Sequence, residues 1–281
     1  MNLRDRVTDY ARPETLSQAL QVMTGGGWRV LAGGTDLYPG ADTRLAGRVL
    51  DLSALPGFSG ITHAGGLRIG AATTWAAIAA ADLPPALRAL QQAAVQIGGR
   101  QVQNAGTLGG NLCNASPAAD GVPPLLALGA EVELASPSGT RILPLDGFLL
   151  GPRRTALQAG EMLAAVTVRD SNLSGASAFV KLGARSHLVI SIAMVAARLV
   201  VAAGRVTGAM VAVGACSPVA VRLPQVEAAL VGAPVAEAMD RVQAVDVRAA
   251  LAPIDDVRAT ADYRRDAAVE LVRRAVRGAL A

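Results

Sequence analysis

Two glycine-rich segments decide how the fold of this chain is predicted: Ala32-Gly33-Gly34-Thr35-Asp36 and Thr107-Leu108-Gly109-Gly110-Asn111. Each places adjacent glycines directly after an apolar element. Because glycine has no Cβ, the backbone N–H groups of such a pair can approach an anion closely, and the neighbouring threonine adds a hydroxyl donor. Neither segment fits the GxGxxG pattern or the phosphate-binding P-loop pattern. Each alone is equally typical of a simple turn, so each is a candidate diphosphate site only.

The composition predicts a folded chain of two domains, or of one large domain with an appendage. The chain has 281 residues, of which 52% are hydrophobic and 17% are charged, so it has ample material for a core. The formal net charge is +4, but the basic residues are interleaved with acidic ones, and only three Phe, three Tyr and two Trp are present. A nucleic-acid surface would combine a clustered basic stripe with aromatic residues, so nucleic-acid binding is not predicted.

The residue types that bind metals or act as nucleophiles are scarce. Cys113 and Cys216 are the only cysteines, and His63 and His187 the only histidines. Their spacing fits no zinc or iron–sulfur motif, and no Ser/His/Asp or Cys/His set is evident. We therefore expect no metal site and no catalytic residue, and any redox chemistry would need an organic cofactor.

No membrane segment or signal peptide is expected. The longest nearly apolar run, 188–203, is shorter than the roughly 20 residues that span a bilayer. The N-terminus has no apolar core of a signal peptide, so the sequence predicts a cytoplasmic protein.

The order of apolar patterns predicts three regions. In the first, a helix after Pro13 and short strands at 29–32 and 49–52 favour a small parallel α/β unit. The middle region, from about 56, reads as α+β with an antiparallel sheet, including a hairpin around 137–140. In the third, strands at 177–182, 190–201 and 206–215 precede helices at 226–230 and 235–242 and a long helix from Ala259, and Ala203-Gly204-Arg205 joins the last two strands. We predict domains 1–174, with subdomains of about 1–55 and 56–174, and 175–281, a three-stranded antiparallel sheet with a helical bundle.

The two glycine segments together resemble one known family. Leu31 to Leu37 and Asn104 to Leu112, followed by Ala115-Ser116-Pro117-Ala118-Ala119-Asp120, are similar to motifs of the FAD-binding (medium) subunit of molybdenum hydroxylases. That family includes the flavoprotein subunits of carbon monoxide dehydrogenase and xanthine dehydrogenase. The similarity extends to Gly66-Leu67-Arg68-Ile69-Gly70-Ala71 and to the closing segment 255–265. Matches in all three regions make the resemblance specific.

The resemblance implies a two-subdomain FAD-binding fold, in which both glycine segments enclose the diphosphate of a non-covalent FAD. It also places Asp120 near the flavin or its ribityl chain, and it likens Lys181 to a family lysine near the start of the third region. Lys181 is the only lysine in the chain. From the residues alone, it is equally consistent with a cofactor contact that needs an ammonium group and with a chance remnant in a chain that otherwise uses arginine. The resemblance implies these cofactor-binding residues: Leu31, Ala32, Gly33, Gly34, Thr35, Asp36, Leu37, Ile97, Ala105, Thr107, Leu108, Gly109, Gly110, Asn111, Asp120, Leu163 and Lys181.

The resemblance also implies a role within a larger oxidoreductase. A large molybdopterin-containing subunit would oxidise the substrate, and a small subunit with 2Fe-2S clusters would relay electrons to this FAD, in a dimer of heterotrimers. Carbon monoxide, purines, N-heterocycles and aldehydes stay open as substrates, and NAD, a quinone or oxygen as acceptor.

Two other functions stay open. One is a stand-alone FAD-dependent oxidoreductase of the same two-loop fold, which would carry acid/base residues. The other is a non-catalytic nucleotide-binding scaffold subunit.

Overall fold

The first region is a small parallel α/β unit, as predicted. The structure, a computed structural model, describes residues 7–41 and 47–281. Its first sheet has the order β1-β3-β2, and all pairs are parallel. Helix α1 begins where the Thr15 hydroxyl accepts a hydrogen bond from the Gln18 N–H, which caps the first turn. The elements are β1 (Val7–Ala11), α1 (Leu16–Met23), β2 (Trp28–Leu31) and β3 (Gly47–Asp51).

The middle region is an antiparallel sheet of five strands in the order β4-β5-β10-β6-β7, with helices packed on it and a separate β8-β9 hairpin. Its sheet and its α+β character are as predicted. The central strand β10 is nearly buried along its whole length and was not predicted. The elements are β4 (Ile61–His63), β5 (Gly66–Gly70), α2 (Trp75–Ala80), α3 (Arg88–Ala94), α4 (Arg100–Ala105), α5 (Leu108–Asn114), α6 (Val122–Ala127), β6 (Glu131–Ser136), β7 (Gly139–Pro144), α7 (Leu145–Phe148), β8 (Leu149–Gly151), β9 (Arg154–Thr155) and β10 (Met162–Arg169).

The third region contains the three predicted strands, but its antiparallel sheet has four, in the order β11-β12-β13-β14. The fourth is only two residues long, too short to show a periodic pattern in the sequence. The helix predicted at 235–242 is instead a single 3-10 turn at Val235–Glu237. The elements are β11 (Ala176–Leu182), β12 (Ala193–Ala202), β13 (Arg205–Gly214), β14 (Val221–Arg222), α8 (Pro224–Leu230), α9 (Ala244–Ala249) and α10 (Ala261–Leu280).

The third region packs against the middle region through small side chains. Ala89, Ala93 and Ala127, from α3 and α6, form one buried cluster with Phe179 and Ala196 of the third sheet. Alanines let backbones approach closely, so α3 and α6 lie directly on β11 and β12. The 20-residue helix α10 packs on β11 and β12 from the opposite face, in a separate buried cluster that includes Ala178, Val195 and Ala197. Helix α8 packs on β13. In the ranges 7–41 and 47–281, no helix combines the length and the apolar character that crossing a membrane requires.

Candidate cofactor site

A cavity of about 480 Å³ lies between the parallel unit and the antiparallel sheet. Its walls come from both glycine segments, so the fold brings together what the sequence separates by seventy residues. Most of the predicted cofactor residues line it: Ala32, Gly33, Gly34, Thr35, Asp36, Leu37, Ile97, Thr107, Gly109, Gly110, Asn111 and Leu163.

The first glycine segment follows β2 directly and turns sharply. Gly34 has φ +70°, in the left-handed region that glycine adopts without strain. The Gly34 carbonyl then accepts a hydrogen bond of 2.9 Å from the Tyr38 N–H, which closes the next turn. Within the part of the chain that the structure describes, the N–H groups of residues 33–37 donate no hydrogen bond. This segment therefore offers a row of free backbone donors at the cavity wall, which suits an anion.

The second glycine segment is the first turn of a helix rather than a loop. Thr107 caps α5, and its Oγ1 accepts the Gly110 N–H at 3.1 Å. The Gly109 N–H donates to the Ala71 carbonyl at 2.8 Å, and the Asn111 N–H donates to the Thr107 carbonyl at 3.1 Å. These backbone donors are engaged inside the chain, unlike those of the first segment. The glycines here instead permit close packing, because a Cβ at Gly109 would lie 2.7 Å from the Ala71 Cβ.

A buried acidic side chain also lines the cavity, beside Leu163. Glu161 is paired with Arg141 through two short contacts, Nε to Oε1 at 2.6 Å and Nη2 to Oε2 at 2.7 Å. The Gln158 N–H adds a bond of 2.8 Å to Oε2. The hydrogen bonds from Arg141 lower the pKa of the Glu161 carboxyl and outweigh the opposing effect of burial. Glu161 is therefore a carboxylate at neutral pH, and its charge is balanced away from the cavity.

Five of the predicted residues do not line the cavity. Leu31 and Leu108 are core residues, 7% and 0% exposed, and Ala105 ends helix α4 beside the first glycine segment. Asp120 and Lys181 face each other in a buried ion pair, with 2.6 Å between Lys181 Nζ and Asp120 Oδ2. Burial raises the pKa of the Asp120 carboxyl, while Lys181 and a hydrogen bond from Ser191 oppose the rise.

The other lining residues were not predicted from the sequence. Three groups stand out: Trp75, Glu161 and Cys113, and desolvation raises the pKa of the Cys113 thiol to about 12. Cys113 lies in α5, in the same helix as the second glycine segment, whereas Trp75 begins α2 and Glu161 precedes β10. The convergence of these elements is not visible in any local spacing. The full set of additional lining residues is Arg29, Val30, Gly40, Leu52, Phe58, Ala71, Ala72, Trp75, Val102, Gly106, Cys113, Asn114, Leu157, Glu161 and Met162.

The residues present fit a dinucleotide cofactor. The volume lies in the usual range of roughly 300–1,000 Å³ for a small-molecule site. The free donors of residues 33–37 suit a diphosphate, and Leu37 and Ile97 supply accessible apolar wall for flat rings, in front of the buried Trp75 and Leu163. Asn111 Oδ1 is buried in the same wall with no hydrogen-bond partner, and such an atom is costly unless a donor reaches it. In the described residues, no group of three or more His, Cys, Asp or Glu side chains could share a metal ion.

This fold and cavity define a nucleotide-cofactor protein with two cofactor-binding units and a third sheet beside them. Comparison with known families is specific. Residues 5–168 match the FAD binding domain in molybdopterin dehydrogenase, and residues 178–279 match the CO dehydrogenase flavoprotein C-terminal domain. The chain belongs to the family of FAD-binding subunits of molybdenum hydroxylases. It is thus an oxidoreductase subunit, and its cofactor is FAD.

Individual relatives are similar along nearly their whole length. The carbon monoxide dehydrogenase medium chain of Afipia carboxidovorans is 31% identical over 280 residues, 97% of this chain and 96% of that one. The nicotine 6-hydroxylase medium subunit of Paenarthrobacter nicotinovorans is 31% identical over 277 residues, 95% of each. Among solved structures, reconstituted CO dehydrogenase from Oligotropha carboxidovorans superposes with a TM-score of 0.88 at 30% identity, covering 97% of both chains.

Proposed function

We propose that this chain accepts electrons from 2Fe-2S clusters on a partner subunit and passes them from its FAD to an external acceptor. The observation that carries the proposal is the cavity between the two glycine segments, whose donors and apolar walls fit FAD. Among the residues that the structure describes, no three cysteine, histidine or acidic side chains gather at one point, so we expect no iron–sulfur cluster on this chain. The electrons would therefore arrive from another chain. The flavin would supply the redox chemistry, and the protein its position and electrostatics.

The partners follow from the relatives. Two of them are named as a medium chain and a medium subunit, which supports a large and a small partner for this chain as well. We assign the molybdopterin cofactor to the large partner and the 2Fe-2S clusters to the small one. The assembly proposed is a dimer of heterotrimers, a heterohexamer.

The hydrogen bonds within the site indicate which residues would bind each part of FAD. We assign the diphosphate to the free N–H groups of residues 33–37, because those of the second glycine segment are engaged. Thr107 and Asn111 would contribute side-chain atoms, and Leu37 and Ile97 would contact the rings. The proposed domains are 1–174 and 175–281. The boundary between them lies in the interval between the two family matches, which cover 5–168 and 178–279.

The decisive experiment is to purify the chain alone and with its two partners, and to measure its flavin content. We expect about one FAD per chain in the complex, released into solution by acid because it is held non-covalently. Substrate added without oxygen should bleach the flavin absorbance in the full complex. It should not do so in the complex that lacks the small partner. A complex whose acid extract contains no FAD would refute the FAD assignment.

The same experiment separates the rival functions. Turnover of the substrate by this chain alone would indicate a stand-alone oxidoreductase. A complex that binds FAD but whose flavin is never reduced by substrate would indicate a scaffold subunit.

A further inference from the structure

A short turn without regular structure forms part of the cavity wall. This wall turn, residues 156–161, joins the β8-β9 hairpin to the central strand β10, and Leu157 and Glu161 both line the cavity. At its start, the Ala156 N–H donates a hydrogen bond of 2.9 Å to the Phe148 carbonyl. A turn outside any helix or strand takes the rest of its position from side-chain contacts, so those contacts decide where this part of the wall lies.

The Arg141 side chain, from the edge strand β7, fastens the wall turn at both ends. Its Nη2 donates to the Ala156 carbonyl at 2.8 Å and to Glu161 Oε2 at 2.7 Å, and its Nε donates to Glu161 Oε1 at 2.6 Å. Glu161 Oε2 also accepts the Gln158 N–H at 2.8 Å, so the carboxylate reaches back along the turn. One arginine therefore spans the wall turn from its first residue to its last.

The two side chains of this ion pair differ in their position relative to the cavity. The Glu161 side chain is 6% exposed and lines the cavity, whereas Arg141 is 35% exposed and lies outside it. Glu161 therefore brings a buried negative charge to the wall of a cavity that would hold a diphosphate, and Arg141 compensates that charge from behind. Without Arg141, the buried carboxylate would be unpaired and would repel the phosphates of the cofactor.

From this geometry we propose that Arg141 and Glu161 form a positioning pair for FAD. The pair holds the wall turn 156–161 in place and keeps the carboxylate at the cavity wall compensated. Arg141 acts through Glu161 and the Ala156 carbonyl, without touching the cofactor. The inference rests on the proposed FAD site, and it adds a residue outside the cavity to those on which FAD binding depends.

The test measures FAD affinity together with the mobility of the wall turn in the full-length chain. Apoprotein is titrated with FAD, and amide hydrogen exchange is followed in peptides that cover 156–163. We expect Arg141→Met to weaken FAD binding by about tenfold or more and to speed exchange in those peptides, because it leaves the Glu161 carboxylate unpaired and releases the Ala156 carbonyl. Glu161→Gln should weaken binding less, since its amide oxygen still accepts hydrogen bonds and no negative charge is left at the wall.

The pH dependence of Arg141→Met shows whether the charge of Glu161 matters. Burial raises the pKa of an unpaired carboxyl, so FAD binding by this variant should tighten as the pH falls from about 8 to about 5 and Glu161 takes up a proton. Arg29, Asp36 and Cys113 also line the cavity and are unchanged in every variant. Arg141→Met combined with Glu161→Gln should bind FAD more tightly than Arg141→Met at about pH 8 and should lack that pH dependence.

A matched control lies at the opposite end of β10. Arg169 of β10 pairs with Glu131 of β6 through both carboxylate oxygens, with Nε to Oε2 at 3.2 Å, and neither residue lines the cavity. Arg169→Met therefore removes an arginine–glutamate pair of the same sheet but should leave FAD affinity and exchange in 156–163 unchanged. Arg141→Lys keeps the charge but not the planar fork that also reaches Ala156, so its affinity should lie between those of the unaltered chain and Arg141→Met.

The outcomes separate this inference from the function on which it rests. If the unaltered chain binds no FAD, the proposed function fails. If it binds FAD and Arg141→Met binds it equally well, only the positioning role fails. Weakened binding in Arg141→Met with unchanged hydrogen exchange in 156–163 would also overturn that role, because the position of the wall turn would then not depend on Arg141.

Discussion

The carbonyl oxygen of Ala105 lies 1.9 Å from the position that a Cβ would take at Gly33. Real Cβ atoms do not approach an oxygen so closely, so the two segments touch through their backbones at this point. The contact joins the end of α4 to the first glycine segment, and it fixes the width of the cavity between them. Gly33 is therefore required for the approach of two chain segments, and not only for a turn.

We predict that Gly33→Ala separates the two segments and weakens FAD binding. Overpacking of this kind costs about 1–3 kcal/mol. If that cost applies only to the FAD-bound form, the FAD dissociation constant rises by roughly fivefold to 150-fold. The measurement is a titration of apoprotein with FAD. Gly147→Ala is the matched control, because a Cβ there meets no atom within 4 Å and no positive φ is involved. Equal affinity in both variants would contradict the prediction.

A second prediction concerns Gly34, where two effects can be separated. An alanine at φ +70° is strained, at a cost of about 1–2 kcal/mol, and its Cβ would lie 2.3 Å from the ring of Tyr38. Gly34→Ala should lower both the melting temperature and the affinity for FAD. Adding Tyr38→Ala removes the collision but not the strain, so the double variant should recover part of the loss. No recovery would mean that the backbone strain alone is responsible.

A third prediction uses two helix caps of the same kind. Thr107 caps α5 and lines the cavity, whereas Thr74 caps α2 through a bond of 3.2 Å from the Ala77 N–H and does not line it. Thr107→Val and Thr74→Val should each cost about 1 kcal/mol of folding free energy by chemical denaturation. Only Thr107→Val should weaken FAD binding at a temperature where both variants are folded. A similar loss of FAD affinity in Thr107→Val and Thr74→Val would show that Thr107 has no specific role in binding FAD.

Much of the fold is predictable because its periodic patterns are local. The strands β12 and β13 are long and apolar, and the turn Ala203-Gly204-Arg205 predicted their hairpin. In the structure Ala203 and Gly204 have φ +49° and +70°, the positive values that tight hairpin turns require. The parallel unit was predictable in the same way, although β1 at its edge was missed.

The central strand β10 could not be predicted by alternation. Met162 to Val168 are buried except for Thr167, because the strand lies between two neighbours with packing on both faces. A strand of this kind has no period of two and resembles any short apolar run.

The helix at the second glycine segment could not be predicted for another reason. Glycine disfavours helix, and α5 depends on the Thr107 cap and on bonds to the Ala71 and Thr73 carbonyls, which are tertiary contacts.

The residues of the cofactor site are also predictable only where local sequence patterns reveal them. Both glycine segments were identified from their residues, and their joint role came from the family resemblance. Trp75 and Glu161 reach the cavity only because distant elements converge there. The pairing of Lys181 with Asp120 spans 61 positions, and no spacing rule connects them. The resemblance named both residues but did not predict that they bind each other.

The last prediction concerns acid stability at the base of α10. Arg264 is 3% exposed and joins three segments, with Nη1 donating to the Ile192 carbonyl at 2.6 Å and Nη2 to Asp256 Oδ1 at 2.6 Å. Burial raises the pKa of the Asp256 carboxyl, but the Arg258 N–H and the Arg264 and Arg258 guanidiniums outweigh it and lower the pKa to about 2. Because the folded pKa lies below the unfolded value of about 3.9, the stabilisation is complete above about pH 4. It is lost as the pH falls towards 2.

Asp256→Asn should therefore destabilise the chain by about 2 kcal/mol at neutral pH. The difference in unfolding free energy from the unaltered chain should shrink as the pH falls from about 4, and it should vanish below about pH 2, once the native carboxyl is itself protonated. The measurement is denaturant unfolding across that range. Asp262→Asn is the control, since its pair with Arg265 is exposed and should be worth less than about 1 kcal/mol at any pH. A loss that does not depend on pH would show that Asp256 acts through packing, because its charge would then contribute nothing to holding Arg264.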